Sequence, residues 1–220
     1  MGLANAILLY MNMGITVTEV DDEETRRTVR EMIAREYSQL GYASTDSEHA
    51  MRSMHYDGEF GLRLAAIGDA GNDLIGTIAI AIDSGDLLPM DSLYENETTL
   101  FRESGLRIAE VGQFAVTKNV SAMRRLHIVR KLFTAVLIRL KENEIDALVI
   151  TINPKHDSAY SLMGFSTFGA TKPYDAVNGA LAVPKVKFVS LKGLYARSNF
   201  TFVTSPVIGS DEDAYSPVTI

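Results

Sequence analysis

The sequence contains no cysteine. This excludes disulfides, thiolate metal sites and a cysteine nucleophile, and it fits a reducing compartment, so a cytoplasmic protein is expected. No apolar run reaches the roughly 18 residues that a transmembrane helix needs. The first residues, GLANAILLYMNMG, are apolar but lack both a basic lead and a small-residue cleavage site, and Ala6 stands where a myristoylation signal requires Ser or Thr. Neither a signal peptide nor a lipid anchor is expected. Histidine is scarce: there are four, scattered, with no H-x-x-H pattern, so no metal site is expected. Basic charge is in deficit, 21 Lys and Arg against 28 Asp and Glu, for a net charge of −7 and a pI of about 5.1. That balance disfavours a general nucleic-acid binder. No internal repeat is present.

Against these absences stand 220 residues, 46% hydrophobic and 22% charged. This is enough for one domain with a real core, expected over 1–204, followed by a flexible acidic tail over 205–220. ITVTEV (15–20) alternates as a strand does. Asp21 and Glu24 form a D-x-x-E helix start, and Val29, Met32, Ile33, Tyr37 and Leu40 recur at helical spacing up to Gly41. A second short helix is expected over 46–55. EFGLRLAAI and DLIGTIAIAID both alternate with period two around GDAGND, which predicts an antiparallel hairpin. Residues 84–107 read as a long polar connection, and insertions of that length are often functional. IAEVGQFAV (108–116) is the next strand. A helix over 121–142 carries Ala122, Leu126, Val129, Phe133, Val136 and Leu140 on one face. A strand over 146–152, a short helix over 157–163 and strands near 165–169 and 183–191 complete the order, with a turn at VNGA (177–180). The pattern is α/β: a mixed, mostly antiparallel sheet flanked by helices, with one crossover through the long helix.

Charge is unevenly placed along this order. Between Val111 and Lys141 there are seven basic residues, Lys118, Arg124, Arg125, Arg130, Lys131, Arg139 and Lys141, and no acidic one. An acidic chain that gathers its positive charge in one segment is suited there to an acidic partner or a phosphate. The plainer reading is the solvated face of an amphipathic helix.

The element order, with NPKHDSAYSLMGF after the penultimate long strand, resembles the Gcn5-related N-acetyltransferase superfamily. EVGQFAV, INPKH…Y…MGF, YDAVNGA and the 84–107 insertion together resemble the FeeM-type N-acyl amino acid synthases, relatives of the acyl-homoserine-lactone synthases. The likeness spans roughly residues 15–191 and rests on order and spacing. It implies a twisted, Gcn5-related N-acyltransferase-like sheet. It also implies transfer of a long-chain acyl group to the α-amine of an amino acid, with tyrosine the acceptor it points to. Ordinary members cradle coenzyme A pyrophosphate on a glycine turn before the long helix. Here that stretch, VTKNVSAMRRL, has no glycine and puts arginines in the first turns. The expected donor is therefore acyl carrier protein, acidic and bearing one phosphate on its phosphopantetheine arm, docked by Lys118, Arg124, Arg125, Arg130 and Lys131. No bound cofactor is expected; the acyl-phosphopantetheine is a co-substrate. A coenzyme A-dependent acetyltransferase, an acyl-homoserine-lactone synthase and a non-catalytic acyl- or carrier-binding module stay open. The lactone synthase is disfavoured by Gln113, where the resemblance implies arginine.

Amide formation from a thioester asks for a base for the α-ammonium, donors for the oxyanion and a proton for the thiolate. The resemblance puts a functional glutamate at Glu110. Alternation places Glu110, Gly112, Phe114 and Val116 on one face, with Gly112 leaving room for a ligand or allowing a bulge. His156 follows the strand ending at Ile152, at the end where open α/β sheets bind ligands, and titrates near neutrality. Tyr160 matches the tyrosine that protonates the departing thiol in many acetyltransferases. Each has a plainer alternative: a surface carboxylate or a structural salt bridge for Glu110, a helix cap or a hold on the Asn-Pro turn for His156, packing for Tyr160. Asn153 is assigned to turn geometry beside the substrate. Arg102 and Arg107 are the candidates for the acceptor carboxylate, and Leu87, Leu88, Met90, Leu93 and Phe101 for the acyl slot.

Overall fold

A computed structural model of the chain describes residues 14–43, 51, 53–68, 73–85 and 88–203. It contains β1 (Ile15–Glu19), α1 (Glu23–Gln39), α2 (Met54–Asp57), β2 (Gly61–Gly68), β3 (Asp73–Ile82), α3 (Asp91–Glu103), β4 (Ile108–Val116) and α4 (Ala122–Glu142). There follow β5 (Ala147–Ile152), a 3-10 turn (Pro154–His156), α5 (Asp157–Leu162), β6 (Ser166–Thr167), β7 (Lys172–Tyr174), β8 (Ala180–Phe188) and α6 (Leu191–Ala196). The strand order is β1-β2-β3-β4-β5-β8-β6, with β7 also on β8. β4 and β5 run parallel, from Ile108↔Ala147 to Val111↔Ile150, joined through α4, whereas β1–β2, β5–β8, β6–β8 and β7–β8 are antiparallel. The mixed α/β sheet expected from the sequence is present. Among the described residues no helix is long and apolar enough to cross a membrane. The expected tail, 205–220, lies outside the described residues.

The chain divides into two compact units. One holds the residues up to Ile80 together with Gln113–Arg139; the other holds Ala81–Gly112 and the residues from Leu140 onward. The first unit is organised around Val20, Val29, Ile33, Ala34, Met51, Ala65 and Ala115. α4 lies close on β3 here, because Gly76 presents no side chain: a Cβ built on it would stand 2.7 Å from Ile128 Cγ2 and 3.3 Å from Leu132 Cδ1. Ile128 is β-branched and stiff in a helix. Gly76→Ala is therefore expected to lower stability by about 1–3 kcal/mol through overpacking, read as a reduced urea midpoint. The second unit is built on an aromatic cluster in which Phe101 meets Phe168 at 5.1 Å and Phe200 at 4.7 Å between ring centroids, and Phe188 stacks on Phe200.

Several elements differ from expectation. α1 is capped by Asp22, not Asp21: Asp22 is extended and accepts from Thr25 N at 2.8 Å. The second short helix is Met54–Asp57, while 44–50 and 52 lie outside the described residues. The 84–107 connection contains a 13-residue helix, α3. Its buried positions, Asp91, Tyr94, Thr98 and Phe101, have helical spacing, but two of the four are polar, so hydrophobic periodicity does not reveal it. On α4 the buried positions include Ile128 and Leu132 alongside Val129, Val136 and Leu140. Ala122 is exposed, Leu126 is 58% exposed, and Phe133 is half-buried. β8 begins at Ala180, directly after the left-handed pair Asn178 and Gly179, three residues earlier than expected. The sequence pattern signals neither β7 nor α6; β7 is three residues long with Pro173 at its centre.

Candidate active site

In the second unit, β4 carries Glu110 into the interior opposite Val149 of β5. The carboxyl is 3% exposed, and its Oε2 accepts from Met90 N at 2.8 Å. Burial pushes its pKa up to about 8, opposed by the Met90 hydrogen bond and reinforced by the negative charge of Asp91. The Tyr174 phenol of β7 lies in the same field. Burial and the Glu110 charge raise its pKa, and its hydroxyl donates to Pro89 O at 3.2 Å. The sequence points to Met90 only as an acyl-slot candidate and to Tyr174 only as the first residue of YDAVNGA, and it does not point to Asp91. Their signals were weak, because a buried aspartate in a polar run reads as a surface residue and Tyr174 sits on a three-residue strand.

Gly112, next along β4, is half-buried and has no positive φ; the left-handed residue is Gln113, at φ 46°. A left-handed residue within a strand marks a bulge, so the alternation assumed for Glu110, Gly112, Phe114 and Val116 is interrupted between Gly112 and Phe114.

Arg102 is not presented to solvent as a carboxylate receptor. Its Nε donates to Asp83 at 2.6 Å and its Nη2 to Asp91 at 2.6 Å. Arg107 is exposed and pairs with Glu144 at 3.0 Å. Both guanidinium groups are engaged by carboxylates of this chain. Of the apolar-slot candidates, Leu88, Met90 and Phe101 are buried and Leu93 is half-buried. Leu87 lies outside the described residues.

The turn after β5 places the histidine. Asn153 accepts from Lys155 N at 3.1 Å and caps the 3-10 turn, with Pro154 fixing its first position. His156 is half-buried at the start of α5 and makes no side-chain cap hydrogen bond there. Burial first, and the adjacent Lys155 charge second, push its pKa below the ordinary 6.5, so the imidazole is neutral at pH 7. α5 is pinned from β8: Lys185, 1% exposed, reaches Asp157 at 2.5 Å and Ser161 at 3.0 Å. Tyr160 is buried edge-on against Phe165, and burial raises its phenol to about 12.

The first unit carries the remaining candidates. Phe114 packs edge-on against Phe133 at 5.8 Å. Arg125 donates to Thr117 O at 3.1 Å and Lys131 to Ile15 O at 2.5 Å, so both hold backbone. Arg124 is half-buried over Gly68. Lys118 and Arg130 are exposed, and Arg130 shares α4 with exposed Met123, Leu126, Leu137 and Ile138. A cleft of about 760 Å³ near the amino end of α4 is lined by Glu31, Arg35, Asp73, Ser121 and Arg124 among others. Its mixed charge gives no preference for an anion. Among the described residues no group of three or more His, Asp or Glu side chains is placed to hold a metal.

The family model for the N-acyl amino acid synthase FeeM matches residues 28–185. The solved structure of FeeM, an N-acyl amino acid synthase from uncultured soil microbes, is 33% identical, with a TM-score of 0.70, over 81% of this chain and 92% of that one. A GNAT-family acetyltransferase from Staphylococcus aureus Mu50 matches at 17% identity and TM-score 0.54, over 80% and 99%. TofI, in a ternary complex with an inhibitor and MTA, matches at 14% and TM-score 0.58, over 84% and 97%. These last two show a shared fold only. No curated protein matches the chain. A strand that buries Glu110 beside a parallel neighbour ending in a histidine turn, within a chain one-third identical to FeeM, is that of an N-acyltransferase, and the chain belongs to the FeeM N-acyl amino acid synthase family.

Proposed function

We propose that the chain moves a long-chain fatty acyl group from the thioester of acyl carrier protein to the α-amine of an amino acid, with tyrosine as the acceptor. The observation that carries the chemistry is the buried Glu110. An ordinary carboxylate is a poor match for an α-ammonium. One pushed up to about 8 takes that proton far more readily at neutral pH.

In this reading Glu110 removes the first ammonium proton. The amine nitrogen then attacks the thioester carbon, forming the C–N bond while the carbonyl oxygen takes the electron pair. His156, neutral at pH 7, accepts the second nitrogen proton. The C–S bond breaks as the carbonyl re-forms, and the thiolate takes its proton from the imidazolium. An amide and a free thiol result, and Glu110 returns its proton to water. A phenol near 12, as Tyr160 has, would protonate a thiolate uphill, whereas an imidazolium does so downhill, which favours His156 for that step.

The carrier-protein donor is supported by α4, whose exposed face sets Met123 and Leu126 beside Arg130 without an acidic residue from Ala122 to Lys141. An apolar surface with basic neighbours complements an acidic, amphipathic partner. Tyrosine rests on the family resemblance. The charge reversals Lys118→Glu and Arg130→Glu together are expected to raise KM for acyl carrier protein about tenfold while leaving turnover of a small acyl-pantetheine thioester unchanged. Incubation with acyl carrier protein and a panel of amino acids, read by mass spectrometry, tests the whole reading. Absence of any acylated amino acid would overturn it, and turnover with acyl-coenzyme A alone would overturn the donor.

A further inference from the structure

Arg102 lies in the last turn of α3, at the opposite end from Asp91, yet the two meet: Nη2 donates to Asp91 Oδ2 at 2.6 Å and Nη1 lies 3.3 Å from Oδ1. The Asp91 carboxylate is fully buried. It also accepts from Leu88 N at 2.5 Å and from the Thr98 hydroxyl, which in turn accepts from Arg102 Nη1 at 3.1 Å. Asp83 fixes the far side of the guanidinium through Nε at 2.6 Å. The kink at Tyr94, φ −128°, lies between the two ends of the helix that this clasp ties together. The clasp therefore immobilises the turn Leu88–Asp91. Met90, in the middle of that turn, is the residue whose amide donates to Glu110.

We propose that Arg102 is a positioning residue for Glu110. By pinning and neutralising Asp91 it holds the Met90 amide on the Glu110 carboxyl and keeps a buried negative charge beside it compensated. The assignment of a catalytic consequence rests on Glu110 acting as base. Among the described residues, the groups recorded against Glu110 are the Met90 amide and Asp91 from the start of α3, the Tyr174 phenol from β7 and, on β5, the apolar Val149. Tyr174 keeps its proton, so Asp91 is the fixed charge of the set and Arg102 is its counter-ion.

The test is a titration of Glu110 itself. Protein labelled with ¹³Cδ-glutamate is followed by NMR against pH, and the resonance lost in Glu110→Gln identifies the group. Arg102→Met is expected to raise the midpoint by about one pH unit, because Asp91 is left uncompensated. Arg102→Lys should hold it near wild type. Asp91→Asn combined with Arg102→Met removes both charges, and the midpoint should return to the wild-type value or below. An unmoved midpoint in folded Arg102→Met overturns the proposal. If that variant does not fold, Arg102→Gln, which keeps a donor to Asp91 but removes the charge, is titrated in its place: a raised midpoint supports the proposal and an unmoved one overturns it. The acid limb of kcat/KM should follow the NMR midpoint. A midpoint that moves while the limb stays supports the positioning role and overturns Glu110 as the base.

Discussion

Glu110→Gln is expected to abolish acyl transfer and to stabilise the protein. The first half follows from the role: an amide cannot accept the ammonium proton, and loss of a positioned base costs about 10²–10⁴ in rate. The second half follows from burial. The folded pKa is raised from 4.5 to about 8, so between those values the folded state binds more protons than the unfolded state. Stability therefore falls as pH rises through that window and levels off above about 8. At roughly 1.4 kcal/mol per pH unit, full ionisation of Glu110 costs the fold on the order of 5 kcal/mol. Glutamine has the shape of the protonated acid, keeps an acceptor for the Met90 amide and never ionises. Urea midpoints at pH 5 and pH 9 should fall steeply for the wild type and much less for the variant. A variant that retains more than a tenth of the activity would remove Glu110 from the mechanism. Equal slopes for the two proteins would show that the carboxyl is not buried unpaired.

His156→Ala is expected to lower kcat by about 10²-fold with little change in stability, since the imidazole makes no helix-capping hydrogen bond. The loss should depend on the leaving group. With an ordinary alkyl thioester the thiolate needs the proton that His156 carries. With a thioester of an acidic aryl thiol it does not, and most of the loss should be recovered. Glu110→Gln should gain nothing from the same substrate, because its defect lies in making the nucleophile. Because burial and Lys155 both lower the His156 pKa, the wild-type enzyme should remain competent in this step below pH 6.5. Activity on the acid side should then be limited by Glu110, with a midpoint near 8. A profile already flat at pH 6 would reverse the two assignments.

Much of this was legible in the sequence wherever one physical signal dominates. Alternating residues give β1, β2 and β3, a run of β-formers gives β5, and helical spacing gives α1 and α4. Asn-Pro followed by a histidine marks the turn after β5. The chain was least legible where polar groups are buried in mutual company. α3 hides behind Asp91 and Thr98, which satisfy each other and Arg102, so the helix carries no apolar stripe along that side. For the same reason Arg102, exposed by any residue-by-residue estimate, reads as a free cation when it is the centre of a clasp. Glu110 could be singled out through the family resemblance, but the depth of its burial depends on residues 64 positions away, at Tyr174, and 20 positions away, at Met90. Gly112 signals that a bulge is allowed on β4, but its placement at Gln113 has no sequence signal, because glutamine is not a residue that favours left-handed backbone.

The division into two units bears on how the chain is made. Each unit is assembled from two separated stretches, and each lends the chain to the other in between. The stretch Gln113–Arg139 that completes the first unit leaves the ribosome only after Ala81–Gly112, which has emerged by then and waits for the stretch from Leu140 onward. The first unit has all its parts once Arg139 has emerged, and the second needs the stretch from Leu140 onward; a cut after Arg139 keeps all of the first unit on one fragment, and a cut after Ile80 keeps all of the second. The first core can therefore close while the stretch from Leu140 onward is still being made, whereas Ala81–Gly112 stays unpartnered until that stretch arrives and depends in the meantime on protection from aggregation.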